Sequence, residues 1–275
     1  MRIRHWGEVL RRHPRPARLI AARCLVWTGL SPWLTIKLDG YQLRFYPTNV
    51  SENLWINRDS RIHGLDLFTD YCKPGDVTVD VGANIGEVSI VMSLRAGPTG
   101  RVFAFEPNPR IYRYLLGNLA LNQCHNVTAL NAAVGAAAGT LRMSDGRRDD
   151  MNRVVDAGEI EVSATTLDEQ NWPGTIALVK VDVEGSELLV LEGAQRTLSR
   201  TLCLNCEMSE EHYRRYGYGV ADIVAFVRRA GFQTYVANGK RLRAIDETFH
   251  ESGLHELVAV KDPAQFLART RWTLG

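Results

Sequence analysis

The chain has no uninterrupted apolar run of the roughly 20 residues that a membrane-crossing helix needs. The longest approach to one, residues 19–36, is broken by Arg23, Gly29 and Pro32. Arg23 also interrupts what would be the apolar stretch of a cleavable leader, and no small-residue cleavage site follows, so no secretory signal is expected. Cysteine is scarce: Cys24, Cys72, Cys124, Cys203 and Cys206 are an odd number spread through 275 residues, which excludes a disulfide framework and fits the reduced thiols of a cytoplasmic protein. Cys203 and Cys206 have C-x-x-C spacing, but they lie in the apolar run Thr201–Cys206, and residues three apart on a strand face opposite sides. Zinc or dithiol chemistry is therefore not expected there. Asn49 and Asn126 begin glycosylation-type tripeptides, which are incidental without secretion. There is no internal repeat. A broad basic surface is also missing: the net charge is +2, and seven arginines against one acid fall in residues 1–30, leaving 26 bases and 30 acids elsewhere. That balance argues against a nucleic-acid partner.

What the chain does have begins with that basic end. From Arg2 to Arg23 the arginines are interleaved with Leu10, Leu19 and Ile20 and followed by Leu25, Val26 and Trp27. The pattern is compatible with an amphipathic helix, resting either on the protein with its arginines in solvent or, as a peripheral contact, on an anionic membrane. Residues 34–38 and 41–46 read as a hairpin turned at Asp39-Gly40. Residues 1–60 are thus expected to form an extension to one α/β domain, residues 61–275, whose length and 45% hydrophobic content suit a single large core.

In that domain apolar runs at 77–81, 101–105, 127–131, 176–182 and 201–207 alternate with helical patterns at 87–96, 110–122 and 185–198. A helix at 220–230 and strands at 232–237 and 256–260 follow. Such alternation specifies a parallel sheet covered on both faces. The stretch from Ser144 to Asp168, with the charged run Asp145–Asn152, reads as a loop, either a solvated insertion or a substrate contact. Residues 46–55 could fold over a site as a lid, although Tyr46 and Trp55 suit packing.

The most informative segment is Asp80-Val81-Gly82-Ala83-Asn84-Ile85-Gly86, a glycine turn between an apolar strand and a helix. Gly82 and Gly86 give the turn its freedom, and the helix start offers N–H groups to an anion. A pyrophosphate-binding turn needs a bare middle position, which here is Asn84, so a smaller anion such as the carboxylate of S-adenosylmethionine fits better than NAD or FAD. Twenty residues on, Glu106 ends the next strand, where a carboxylate can accept both ribose hydroxyls. It can equally favour the start of the following helix, with Asn108 as cap and Pro109 in the first turn.

These two segments, together with Asn131-Ala132-Ala133-Val134-Gly135 and Val179–Glu187, resemble the FkbM family of S-adenosylmethionine-dependent methyltransferases over roughly residues 45–210. The block Lys180-Val181-Asp182-Val183-Glu184-Gly185 is its most specific part. The resemblance implies a Rossmann-like class I methyltransferase fold, with a mostly parallel seven-stranded sheet, helices on both faces and a reversed final strand. It implies O-methylation of a saccharide, glycolipid or secondary metabolite. It also implies cofactor contacts at Asp80, Gly82, Ala83, Asn84, Gly86, Glu106 and Asn108, with Asn131, Ala132 and Ala133 near the adenine.

Ligands of open parallel sheets sit at the carboxyl ends of the strands, which is where Asp182 and Glu184 lie. On an extended chain Lys180, Asp182 and Glu184 share a face, a cluster suited either to chemistry or to an internally neutralised network. Methyl transfer to an alcohol needs in-line alignment and removal of the hydroxyl proton. Asp182 is the first candidate for that base and Glu184 the second, with Lys180 holding a carboxylate or the incoming oxygen. Glu207 and His212, near the end of the next strand, could also reach a substrate. A divalent metal on Asp182, Glu184 and Glu207 is conceivable, but Lys180 on the same face disfavours it. Two other readings compete. A dinucleotide oxidoreductase is opposed by Asn84 and by the lack of a catalytic Tyr/Lys or His pair, and a non-catalytic scaffold by the presence of Glu106 and the Lys180–Glu184 cluster.

Overall fold

Residues 13–57, 64–144 and 160–275 are described by the computed structural model. Helix α1 (Pro16–Trp27) begins with Pro16 in its first turn, where a missing N–H costs nothing. A 3-10 turn at Ser31–Trp33 leads into a hairpin of β1 (Thr35–Lys37) and β2 (Gln42–Arg44), with Ile36 opposite Leu43 and Gly40 at φ 81° in the turn. Helix α2 (Asn49–Ile56) is capped by Thr48, whose hydroxyl accepts the Ser51 N–H. Leu19, Ile36, Leu43 and Leu54 from these elements share one buried cluster with Ile85, Ile90, Ile111 and Leu115 of the region that follows. Two side-chain amides complete the seam. Asn118 accepts the Arg44 N–H at 2.8 Å, and Asn122 accepts the Gln42 N–H and donates to its carbonyl at 2.9 and 2.7 Å. They satisfy edge groups of β2 that no strand pairs.

After α3 (Asp66–Tyr71) the alternation expected from the sequence begins: β3 (Val77–Val81), α4 (Glu87–Ala96), β4 (Arg101–Phe105), α5 (Pro109–Leu121) and β5 (Val127–Leu130). Then come β6 (Ala133–Val134), β7 (Gly139–Met143), β8 (Ile160–Thr165), β9 (Ile176–Val181), α6 (Glu187–Glu192), α7 (Gln195–Ser199) and β10 (Thr201–Ser209). The chain finishes with α8 (Glu210–Tyr213), α9 (Val220–Arg229), β11 (Gln233–Asn238), β12 (Arg241–Ala244), β13 (Leu254–Val260), α10 (Pro263–Arg269) and β14 (Thr273–Leu274).

The main sheet runs β14-β12-β11-β13-β10-β9-β3-β4-β5. Strands β5, β4, β3, β9 and β10 are parallel, and β13 inserts antiparallel between β10 and β11. Its seven inner strands, β5-β4-β3-β9-β10-β13-β11, are the Rossmann-like arrangement with a reversed last strand, and the short β12 and β14 extend it. β9 is buried at all six positions, as the centre of a two-faced sheet requires. One face packs Val181, Leu204 and Cys206 against α6, α7 and α9; the other packs Leu178, Cys203 and Val258 against α3, α4 and α10. Cys203 and Cys206 thus lie on opposite faces of β10. Among the described residues no helix is long and apolar enough to cross a membrane.

Two local expectations change. The stretch 144–168 is not all loop, because β8 pairs antiparallel with β7, Ile160 opposite Met143, and buries Val162 and Ala164 in a second sheet with β6. Its six residues alternate apolar and polar, but too briefly to stand out beside the charged run Asp145–Asn152, which lies outside the described residues, as do Arg2, Arg4 and Leu10. The helix read at 185–198 is two helices parted at Gly193, where a Cβ would come within 2.1 Å of the Gly135 carbonyl oxygen.

Candidate active site

β3 ends at Val81, and the chain turns through Gly82, Asn84 and Gly86, all left-handed, at φ 79°, 49° and 93°. The turn is anchored where the Gly82 and Ala83 N–H groups donate to the Phe105 carbonyl at the end of β4, at 3.0 and 2.9 Å. Both glycines suit the left-handed turn, and Gly82 is also required by a close backbone approach. A Cβ on Gly82 would lie 1.8 Å from the Asp182 carbonyl oxygen, and one on Gly86 2.6 Å from Leu115 of α5. Asn84 tolerates its conformation because its own side-chain oxygen accepts the Ile85 N–H at 2.7 Å.

Glu106 ties this turn to the next. One carboxylate oxygen accepts the Asn84 N–H and the other the Asn108 N–H, each at 2.9 Å. Burial pushes its carboxyl up to about 7, against the pull of those two N–H groups and of Lys180. Asn108 is buried and caps α5, accepting the Arg110 and Ile111 N–H groups, as the capping reading expected. Asn131 donates to the carbonyls of Glu106 and Pro107 at 2.8 and 2.9 Å and so fixes the end of β5 against the same turn.

At the end of β9, Lys180 is buried. Its ammonium donates to the Gly82 carbonyl at 3.1 Å and pairs with Asp182 at 3.1 Å and Asp80 at 3.5 Å. Burial alone would lower its pKa, but the two carboxylates hold it above the usual lysine value. Asp80, fully buried, also accepts the Ser89 hydroxyl at 2.5 Å.

Glu184 does not share the face of Lys180 and Asp182, as the sequence suggested. The strand ends at Val181, and Glu184 adopts φ 58° in a turn closed by the Glu187 carboxylate, which accepts the Val183 and Gly185 N–H groups. Glu184 therefore swings to His212 on α8, at 3.7 Å. Glu207 on β10 faces Glu256 on β13 directly across the ladder. Burial, then Asp182, Glu184 and Glu256, push its carboxyl well above the usual range, with Lys180 opposing. Ligating atoms of Glu184, Glu207 and His212 lie within 4.8 Å of one another, a spacing that can hold a divalent cation. His212 replaces Asp182 in the set considered from sequence, because Asp182 is already paired with Lys180.

A cavity of about 420 Å³ joins the two regions. Gly82, Ala83, Asn84, Glu106, Ala132 and Ala133 line one part, and Lys180, Asp182, Glu184 and Glu207 the other. Asp80, Gly86, Asn108, Asn131 and His212 are absent from the lining and support it from behind. Val50 and Asn53 of α2 border the cavity, while Trp55 stacks on Phe45 and Tyr46 on Tyr114, packing as their residue types suggested. Sequence reasoning missed Glu87, Asn205 and Glu256, which also line it. Asn205 was accessible by alternation from Glu207, and Glu87 as an acid in the first turn after Gly86, where it accepts the Tyr41 hydroxyl at 2.8 Å. Glu256 carried no local signal.

The sequence model of the methyltransferase FkbM domain matches residues 80–234, more than half of the chain. The chain belongs to the FkbM family of S-adenosylmethionine-dependent methyltransferases. It is similar to hexuronic acid methyltransferase AglP of Haloferax volcanii, with 31% identity over 190 residues covering 64% of this chain and 77% of that one. It is also similar to methyltransferase sdnD of Sordaria araneosa, with 31% identity over 172 residues covering 46% of this chain and 66% of the other. Solved structures that resemble it include a SAM-dependent O-methyltransferase from Thermotoga maritima (13% identity, 76% and 70% of the two chains, TM-score 0.47). Another is M. jannaschii TYW2 in complex with AdoMet (15% identity, 82% and 83%, TM-score 0.46). In this FkbM methyltransferase the Lys180–Gly185 block is a structural clasp as well as a wall: Lys180 grips the glycine turn, and Asp182 and Glu184 leave it in different directions.

Proposed function

We propose that this methyltransferase moves the methyl group of S-adenosylmethionine to a hydroxyl oxygen of a saccharide or a similarly hydroxyl-rich metabolite. The reading is carried by the continuous cavity that places the Gly82–Glu106 turns and the Asp182 carboxylate in one space. In it the Glu106 carboxylate, with lone pairs left beyond its two backbone N–H bonds, accepts the ribose hydroxyls. Ala132 and Ala133 offer an apolar wall to the adenine. The acceptor oxygen attacks the methyl carbon as the carbon–sulfur bond breaks in line, the sulfonium becomes a thioether, and the hydroxyl proton passes to Asp182. Lys180 holds Asp182 in place, and Glu207, its carboxyl pushed above the usual range by burial and its acidic neighbours, hydrogen-bonds a neighbouring acceptor hydroxyl. A sugar acceptor is favoured by the cluster of oxygen groups on Asp182, Glu207, Asn205 and Glu256, which can bracket several hydroxyls, and by the hexuronic acid methyltransferase among the relatives.

The test is transfer of labelled methyl from S-adenosylmethionine to a panel of saccharides and glycolipids, with the product assigned by NMR. An O-methyl signal supports the reading. Label on nitrogen or carbon, or tight cofactor binding with no transfer to any hydroxyl, overturns it, and calorimetric preference for NAD would return the oxidoreductase.

A further inference from the structure

Helix α1 is apolar on two sides. Leu19 and Ala22 face the core. On the opposite side Ala17, Ile20, Ala21, Cys24 and Trp27 recur at the three- and four-residue spacing of a single face, and all are exposed. Ile20 is 50% exposed and Trp27 87%; just beyond the helix Leu30 is 54% and Trp33, on the 3-10 turn, 82%. Two nearly bare tryptophans beside an apolar stripe that no described residue covers are not explained by folding, which would bury them.

We infer that α1 and the 3-10 turn after it dock the protein on the surface of an anionic lipid bilayer. The charge pattern selects this occupant. No acid occurs between residues 13 and 38, whereas Arg15, Arg18, Arg23 and Lys37 do. Arg18, which donates to the Ile56 carbonyl at 3.4 Å, and Arg23 leave the helix on either side of the apolar stripe, so their positive charge flanks the face that would meet headgroups. Even with Arg23 set against Glu52 of α2 at 2.6 Å, the segment stays positive. Tryptophan suits the headgroup region, with its ring in the acyl boundary and its N–H in water. A second copy of the chain fits less well, because a self-complementary contact would bring the same positive edges together.

Docking also has a geometric consequence. α1 rests on α2 through the Arg23–Glu52 pair and through Arg15, which donates to the Ile56 carbonyl at 2.9 Å. α2 is the helix whose Val50 and Asn53 border the cavity. A docked α1 therefore holds the cavity wall about one helix spacing, ~10 Å, from the headgroups. This suits an acceptor presented on a lipid, but the docking itself does not depend on the reaction.

The experiment is co-sedimentation of the full chain with vesicles of phosphatidylglycerol and phosphatidylcholine, against phosphatidylcholine alone, at two salt concentrations. Binding to the anionic vesicles is expected, weakened by salt and reduced at least about tenfold in the double variant Trp27→Ala/Trp33→Ala. Brominated lipid should quench tryptophan fluorescence of the unaltered protein, a readout that does not rely on the variant folding. No anionic vesicle binding, no quenching, or binding that the double variant leaves unchanged would overturn the inference. So would a dimer in ultracentrifugation that the double variant abolishes while vesicles bind neither form. S-adenosylmethionine affinity of the double variant should match that of the unaltered protein, which keeps a failed docking reading separate from a failed assignment of the cavity.

Discussion

Gly82 presses its bare Cα so close to Asp182 that a Cβ would stand 1.8 Å from the Asp182 carbonyl oxygen. The contact locks the end of β3 to the end of β9. It therefore couples the cofactor turn to the residue assigned as base.

Gly82→Ala should force those strand ends apart. Overpacking costs about 1–3 kcal/mol, and a left-handed backbone adds about 1–2 more. At roughly 2–4 °C per kcal/mol for a domain of this size, the melting temperature should fall by about 5 °C or more, with weaker S-adenosylmethionine binding. Gly135→Ala, where nothing lies within 4 Å, is the control and should change neither. An unchanged melt for Gly82→Ala would refute the packing account.

The Glu106 carboxyl, raised to about 7, should make cofactor affinity depend on pH. Ribose hydroxyls donate to the ionised form, so affinity should rise from pH 6 to pH 8, by at most about tenfold per unit below the pKa. The same shift bears on folding with the opposite sign. Its folded value lies above the ordinary glutamate value of 4.5, so the folded state binds the proton more tightly, and this contribution to stability is lost as pH rises from 4.5 through about 7. Calorimetry across that range should show the affinity trend, and Glu106→Gln should flatten it.

Asp182→Asn is expected to leave S-adenosylmethionine binding within about twofold while lowering methyl transfer by at least about 10²-fold, the usual worth of a positioned base. Titration and labelled-methyl assays on one preparation separate the two. Equal loss of binding would mean that Asp182 serves the cofactor instead.

Alkylation should distinguish the cysteines. Cys24 is exposed, whereas Cys72, Cys124, Cys203 and Cys206 are buried, and burial pushes the Cys72 thiol up to about 12 and holds Cys203 and Cys206 well above the ordinary thiol value. Iodoacetamide on the native chain should add one label, on Cys24, and denaturant should release the other four. A native label on Cys203 or Cys206 would contradict the packing of β10.

The strands of the main domain were legible because parallel strands buried on both faces are continuous apolar runs, as at Val77–Val81. Glu106 and the glycine turn were legible from strand, turn and spacing. Two things were not. Gly86 was legible as a turn residue, and its left-handed φ of 93° is what the turn demands, but its contact with Leu115, made only once α5 packs on α4, had no local signal. Glu256 faces Glu207 through the antiparallel insertion of β13, a pairing between residues far apart in the chain. Glu184 was misplaced for a third reason: a strand pattern was extended through a residue whose left-handed backbone ends it.

The cavity draws its walls from Val50 on α2 to Glu256 on β13. Because β13 runs opposite to β10, it delivers Glu256 from its beginning rather than its end, as the last wall to be made. The closing wall thus depends on the pairing of β13 with both β10 and β11, strands that lie before it in the chain. A nascent or prematurely terminated chain can hold the glycine turn and Glu106, yet it lacks the closing wall.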